Sequence, residues 1–445
     1  MRPVTAGALA LLLLGCEASA PPDPLLELRR AVAAFGVAPL DPPVTSPLPQ
    51  VALGQALFFD KELSGNRDIG CSTCHNPVYH TSDLLQLSIG TGGNRPGGSR
   101  QLGVSGQFTQ RHAPELFDRG DPSWIAFFWD GRVERNANGY STPAGVALPR
   151  GLTSLLAAQA LFPVLGRSEM RGQVNDFDRH GLPNELAALP DSAPMLVWDA
   201  IVTRLRAIPA YDSLFAAAYP SSPGSHITIT RAAEAIAAFI GERWSTLGDT
   251  PFDRFLQGDD SALTEPARRG ATLFFGRAGC AACHRGPLLT DQRFHNVGIP
   301  PLGPGAAGGA PDAGRATVTG IATDRFTFRT PPLRNVDLTA PYFHNGAYRN
   351  LGDAVRHYRD VPAALAGFQP SFVDARLQPS LRLDANTVAD VLSTLDPLVR
   401  SPRQLSDVDV ADLLAFLRAL SGTRSGVLLQ DVPATVPSGL PVSDQ

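Results

Sequence analysis

The pentapeptide Cys-x-x-Cys-His occurs twice in this 445-residue chain, as Cys71-Ser72-Thr73-Cys74-His75 and as Cys280-Ala281-Ala282-Cys283-His284, and it uses four of the five cysteines. This is the attachment signature of c-type haem. Each pair of thiols can form thioether bonds to one porphyrin, and the adjoining histidine then reaches the iron from one side. Two copies imply two covalently bound haems c, held by Cys71, Cys74, Cys280 and Cys283, with His75 and His284 on the irons. A zinc ribbon sets its Cys-x-x-Cys halves about 15 to 20 residues apart, whereas Cys74 and Cys280 stand more than two hundred positions apart. A thioredoxin-like motif explains neither the repetition nor the two histidines.

Covalent haem attachment belongs outside the bacterial cytoplasm, so an export signal is expected, and Met1-Arg2 followed by the apolar run Ala6 to Leu14 has that form. Its end, Leu13-Leu14-Gly15-Cys16, has the look of a lipoprotein cleavage site, which would make Cys16 a lipidated first residue and account for the fifth cysteine. Cleavage after Ala18-Ser19-Ala20 is the alternative, disfavoured because Pro21 would follow the cut. The run is too short to span a bilayer. Residues 1–20 are therefore read as signal peptide and tether, and the mature body as periplasmic, membrane-bound only through a lipid anchor. Net charge −4 and the absence of a basic run argue against nucleic acid as a partner. Lys61 is the only lysine, which excludes a phosphate-binding Gly-Lys-Ser/Thr loop.

The two motifs divide the chain into an expected N-terminal cytochrome c-like domain, 21–247, and a C-terminal one, 248–424, with 425–445 as a disordered tail. Gly-x-x-Leu-Phe-Phe recurs at Gly54–Phe59 and Gly270–Phe275, ahead of each motif, and points to duplication of one haem-binding unit. Apolar periodicity and caps predict helices over Leu25–Phe35, Pro194–Ile208, Thr230–Trp244 and Asp407–Leu420, with Thr264 capping another. Long Gly/Pro loops, Gly90–Gly106 and Gly298–Gly314, lie between. Hydrophobic residues at 43% allow sizeable cores. The fold class expected is mainly α, two cytochrome c-like haem domains with long Gly/Pro loops.

Ser88-Ile89-Gly90, Phe128-Trp129-Asp130-Gly131-Arg132, Pro332-Leu333-Arg334-Asn335-Val336 and Thr339-Ala340-Pro341-Tyr342-Phe343-His344-Asn345-Gly346 accompany the haem motifs in order. Together they resemble the bacterial dihaem cytochrome c peroxidase/MauG family, over roughly Val51 to Leu420. The resemblance implies that the first haem reacts with hydrogen peroxide and that the second exchanges electrons with a protein donor. The histidine that ligates the first haem's far side in resting peroxidases is replaced here by Thr91, so the resemblance implies an open sixth position, unless the glycine-rich loop aligns differently and His80 or His112 serves. Tyr358 falls where the family places the second haem's distal ligand, tyrosine in MauG and methionine in peroxidases. A capping-box pattern, Asn350-x-x-Asp353, and the spacing of Leu351, Val355 and Tyr358 turn it inward on a helix, where packing alone is the alternative role.

Glu169 matches the family's distal carboxylate, the proton carrier for O–O cleavage, and Trp129 the tryptophan between the haems. The resemblance further implies calcium at the carbonyls of Thr339 and Pro341, but His112 stands where an asparagine ligand is expected, and imidazole is a poor calcium ligand. The donor would be a small cytochrome, a cupredoxin or, as in MauG, a residue of a partner protein. Thr91 and Tyr358 tilt the reading toward the MauG-like type. A non-enzymatic dihaem electron carrier and a redox sensor are the competing readings; a carrier would keep both irons closed to small ligands.

Overall fold

The computed structural model describes residues 23–43, 45–220, 226–246, 248–305 and 309–444, so that the export signal, Cys16 and Leu247 lie outside the described residues. Helices carry the architecture, while strands among the described residues are two to four residues long. No helix among the described residues is long and apolar enough to cross a membrane. The helices begin and end close to where the sequence places them, at Pro24–Ala34, Pro194–Arg206, Ile229–Arg243 and Asp407–Arg418. Their starts are set by side-chain oxygens that accept otherwise unpaired N–H groups: Thr228 from Arg231, Thr264 from Ala267 and Ser406 from Asp409.

The repeated Gly-x-x-Leu-Phe-Phe does the same structural job twice. Helix Leu48–Phe59 crosses helix Ile229–Arg243, and helix Glu265–Phe275 crosses helix Asp407–Arg418. A Cβ on Gly54 would stand 1.8 Å from the Ala235 carbonyl oxygen, and one on Gly270 would stand 1.9 Å from that of Asp412. Only glycine lets the backbones approach so closely. One turn further along the crossing helix, Phe239 and Phe416 take matching places. Phe58 lies 5.5 Å from Phe239 and Phe274 lies 5.1 Å from Phe416, ring centre to ring centre. Each buried ring of this kind contributes roughly 1.5–3 kcal/mol of burial free energy.

One apolar core gathers mainly residues from Val51 to Trp244 and a second mainly residues from Phe252 to Leu420. A third, smaller core joins Leu87 to Ile299, Leu302, Tyr342, Phe368 and Leu377. The chain ends depart from the sequence expectation. Helix Pro24–Ala34, assigned to the N-terminal unit, buries Leu28 and Val32 in the second core, and Arg29 donates to the Phe255 carbonyl at 2.7 Å. Leu28 and Val32, one turn apart on the apolar face of this helix, share that core with Phe252, Phe255 and Phe275, and Phe35 just beyond it lies 6.1 Å from the Phe275 ring.

The tail from 425 onward, expected to be disordered, is instead built into the first core. Thr423–Gly426 and Leu428–Asp431 form 3₁₀ turns, and Leu428, Val436 and Leu440 are buried. The Ser438 hydroxyl donates to Asp60 at 2.6 Å, and Asp444 pairs with Lys61 at 2.9 Å. Lys61 is 3% exposed, and a lysine so deeply sunk requires an anion, which the tail supplies.

Candidate active site

The first motif occupies the short helix Cys71–Cys74, with His75 as its cap residue. Cys71, Cys74 and His75 line a pocket of about 1270 Å³ of empty space, mouth included, together with Phe58, Ile69, Phe127, Phe128, Met170 and Ile240. Cys280, Cys283 and His284 line a second of about 1330 Å³, with Phe274, Phe328, Leu333, Phe343 and Leu413. The apolar lining and the room suit a flat, greasy macrocycle. His75 Nδ1 lies 3.3 Å from the Thr81 carbonyl oxygen, and His284 Nδ1 lies 3.0 Å from that of Leu289. A carbonyl can only accept, so Nδ1 carries the proton in both rings and Nε2 keeps its lone pair for a metal. Burial depresses both imidazoles to about 4, which holds them in the neutral, ligating form.

The four thiols form no disulfides. Burial pushes Cys71 up to about 12 and Cys280 up to about 11. Both cavities therefore fit haem c, by donor chemistry as well as by shape. Cys283, Asp291 and His295 do lie close enough together to share an ion. His295 is already engaged by two carboxylates, however, Nδ1 by Asp396 at 2.6 Å and Nε2 by Asp291 at 3.1 Å.

Trp129 sits at the tip of an antiparallel hairpin, between Ala126–Phe127 and Val133–Asn136, which the sequence analysis missed. Asp130-Gly131 is the turn signal that reveals it in retrospect. The tip is clamped from both halves of the chain. Arg111 pairs with Asp130 at 2.5 Å and with Asp312 at 2.7 Å, while Arg315 donates to the Asp130 and Gly131 carbonyls at 3.0 and 2.9 Å. The Trp129 indole N–H donates to the His112 carbonyl at 2.8 Å. The indole lines both cavities.

Glu169 lies on a five-residue π-helical turn, Arg167–Arg171, and lines the first cavity. The turn is pressed onto Gly90, where a Cβ would come within 2.2 Å of the Glu169 carbonyl oxygen. This explains the glycine of Ser88-Ile89-Gly90. Burial raises the Glu169 carboxyl above its ordinary value, against the pull of Arg132 and Arg111. Arg132 stands 3.9 Å from it, its guanidinium lying over the Phe128 ring at 3.7 Å.

Thr91 stands behind the cavity wall and does not line it. Its hydroxyl donates to Asp68 at 2.7 Å and its N–H to the Glu169 carbonyl at 2.8 Å. Of the alternative histidines, His80 turns away to the Ser425 carbonyl at 3.2 Å. His112 lines the cavity with Nδ1 at 3.0 Å from the Leu85 carbonyl. It offers no oxygen side chain where a calcium ligand was expected, so the side-chain donor set does not fit calcium there. The Thr339 hydroxyl donates within its own turn, to the Val336 carbonyl, and Pro341 follows a cis peptide.

Tyr358 caps helix Leu351–His357 and lines the second cavity along with Leu351, Ala354 and Val355, on the face that the sequence spacing gives. Asn350 accepts from the Asp353 N–H at 2.8 Å, but the Asp353 carboxylate takes the Asn350 side chain rather than its backbone, so only half of the capping box forms. Among the described residues no protein group hydrogen-bonds the Tyr358 hydroxyl. Burial and the neighbouring Cys283 thiol raise its phenol, while Arg403, 5.8 Å from the ring centre, lowers it. Arg329, which sequence reasoning overlooked, lines both cavities.

A family model described as di-haem cytochrome c peroxidase matches residues 49–261. The cytochrome c551 peroxidase of Pseudomonas aeruginosa is 30% identical over 386 residues, covering 87% of this chain and 82% of its own. The methylamine utilization protein MauG of Methylorubrum extorquens is 29% identical over 388 residues, covering 86% and 81%. Among solved structures, a MauG-like protein associated with microbial copper homeostasis superposes with a TM-score of 0.58 at 27% identity, over 87% of this chain and 94% of that one. The chain belongs to the di-haem cytochrome c peroxidase family, which includes MauG, and the protein is an oxidoreductase. Its fold is mainly α.

Proposed function

We propose that the protein reduces hydrogen peroxide in the first cavity and oxidises a protein donor through the second, in the MauG-like manner. The observation that carries this reading is that one oxidisable side chain, Trp129, forms a wall of both cavities. Two haems c supply the iron chemistry when bound, namely two-electron peroxide reduction and single-electron exchange. Glu169 moves the proton. As the carboxylate it would accept the proton of one peroxide oxygen and return it to the departing one, so that peroxide, two protons and two donor electrons give two waters. Desolvation at the cavity wall raises the carboxyl above its ordinary value, which brings proton uptake and release closer together in free energy.

Trp129 carries charge between the cavities. The His112 carbonyl, accepting from its indole N–H, fixes the ring and stabilises positive charge on it. Thr91, held by Asp68 away from the cavity lining, would offer no ligand to a haem iron there, which would leave a coordination position for peroxide; His112, which lines the cavity, is the competing ligand. The Tyr358 hydroxyl, without a protein partner among the described residues and disfavoured as a phenolate by burial, would ionise only against a bound cation; with His284 it would hold the iron of a haem in the second cavity. The donor is a small cytochrome, a cupredoxin or a residue of a partner protein. Periplasmic location and lipidation at Cys16 complete the proposal. Calcium is left out of it.

Titrating the ferric protein with cyanide and then with peroxide tests the reading. One haem should respond to cyanide, and peroxide should be consumed with donor oxidation. If neither haem's spectrum responds, the protein is an electron carrier. Tyr358→Phe should remove a phenolate-to-iron absorption while both haems stay attached; an unchanged spectrum removes Tyr358 from the ligands.

A further inference from the structure

Among the described residues only Trp129 and Arg329 line both cavities, and the charge relay uses only the first. Arg329 is 1% exposed. Its peptide N–H donates to the Trp129 carbonyl at 2.7 Å, Nε to the Phe128 carbonyl at 3.1 Å and Nη1 to the Thr330 carbonyl at 3.1 Å. Nη2 has no hydrogen-bond partner among the described residues. Other arginines buried as deeply each reach a carboxylate: Arg334 reaches Asp253 at 2.7 Å, Arg171 reaches Asp191 at 2.8 Å and Arg100 reaches Asp444 at 3.7 Å. Arg329 has none within ion-pair distance among the described residues. Burial, reinforced by Arg119, pulls its guanidinium down to about 9, and Glu115, which makes its ion pair with Arg119, offsets this only in part, so that no carboxylate among the described residues pairs with Arg329 directly.

A guanidinium is a planar fork of donors that matches a carboxylate in two-point contact. Each haem carries two propionate carboxylates, and these are what a buried cation in a wall common to both cavities would meet. We propose that Arg329 is the carboxylate anchor shared by the two haems, pairing with a propionate from each and placing one positive charge between the two irons. The inference rests on the reading of the cavities as haem sites. A cation beside a haem favours the reduced iron, so Arg329 raises both midpoint potentials, and it keeps its propionates ionised across the neutral range.

The test uses the holoprotein, first shown by mass to carry two haems, with the midpoint potential of each haem followed spectroelectrochemically against pH. Arg329→Gln should lower both potentials. It should also make them rise as pH falls, because a propionate no longer held ionised takes up a proton on reduction. Arg315→Gln is the control, since Arg315 clamps the same hairpin through two carbonyls without lining either cavity; it should leave both potentials in place. Arg329→Lys keeps the charge but offers a point contact, so potentials should stay near native while a pH dependence emerges. This variant decides the matter if the glutamine protein does not accumulate, a flat native-like profile then counting against the anchor. Unchanged potentials in Arg329→Gln, a shift at one haem only, or an equal shift in Arg315→Gln would overturn the proposal. A native chain with fewer than two haems would instead overturn the reading on which it rests.

Discussion

Glu169 is held where a carboxyl keeps its proton more tightly than usual, and the cause is burial, only partly offset by Arg132 and Arg111. Since the carboxylate is the form that accepts a proton, turnover should fall as pH drops through this raised value, and the acid limb should lie above that of an exposed glutamate. Glu169→Gln should lower peroxide turnover by about 10²–10⁴-fold and abolish that limb, as a stopped-flow pH profile would show. The two neighbouring tryptophans should behave differently. Trp124 lines neither cavity, and Arg119 lies over its ring at 4.5 Å, whereas Trp129 lines both cavities. Trp129→Phe should therefore uncouple the second haem from peroxide added at the first, whereas Trp124→Phe should leave the coupling intact; equal effects in the two would contradict the assignment. The cysteines and histidines of the site were legible in the sequence because their spacing is their chemistry. Arg111, Arg315 and Arg329 were not, because the groups they hold come from segments far away along the chain.

At the scale of elements, what the sequence makes plain is what local rules control. Helix starts follow from Thr228, Thr264 and Ser406, and Tyr358 faces the cavity that its spacing points to. The Ala126–Asn136 hairpin and the π-helical turn carrying Glu169 escaped notice. Strands of two to four residues leave no alternation to read, and the π turn packs on Gly90, from a segment far away along the chain. The twin glycines allow a direct test of the duplication. Gly54→Ala and Gly270→Ala should each destabilise by roughly 1–3 kcal/mol through overpacking, since neither helix backbone can yield easily. Denaturant unfolding of each variant, read at its own haem, should show Gly54→Ala weakening the first unit and Gly270→Ala the second. A variant that leaves its own haem's transition in place would show that the crossings are looser than the geometry has them.

Over the whole molecule, the ends of the chain bind the two cores together. The first described helix packs in the second core, and the last residues pack on the first. Composition hid this, because a stretch rich in proline and serine reads as a tail until Lys61 is seen to need Asp444. Deleting residues 432–445 should strand that lysine and cost about 3–5 kcal/mol, measurable as a lower denaturation midpoint; an unchanged midpoint would mean that the segment merely rests on the surface. The pair of cavities and the single indole between them make the central claim, that an oxidant reacting at one haem draws on both. Adding one equivalent of peroxide to the diferric holoprotein and following each haem's absorption in the millisecond range tests it most directly. The account predicts that both haem spectra change together in the native protein and that only the first changes in Trp129→Phe. A native protein in which the second haem stays silent would contradict it.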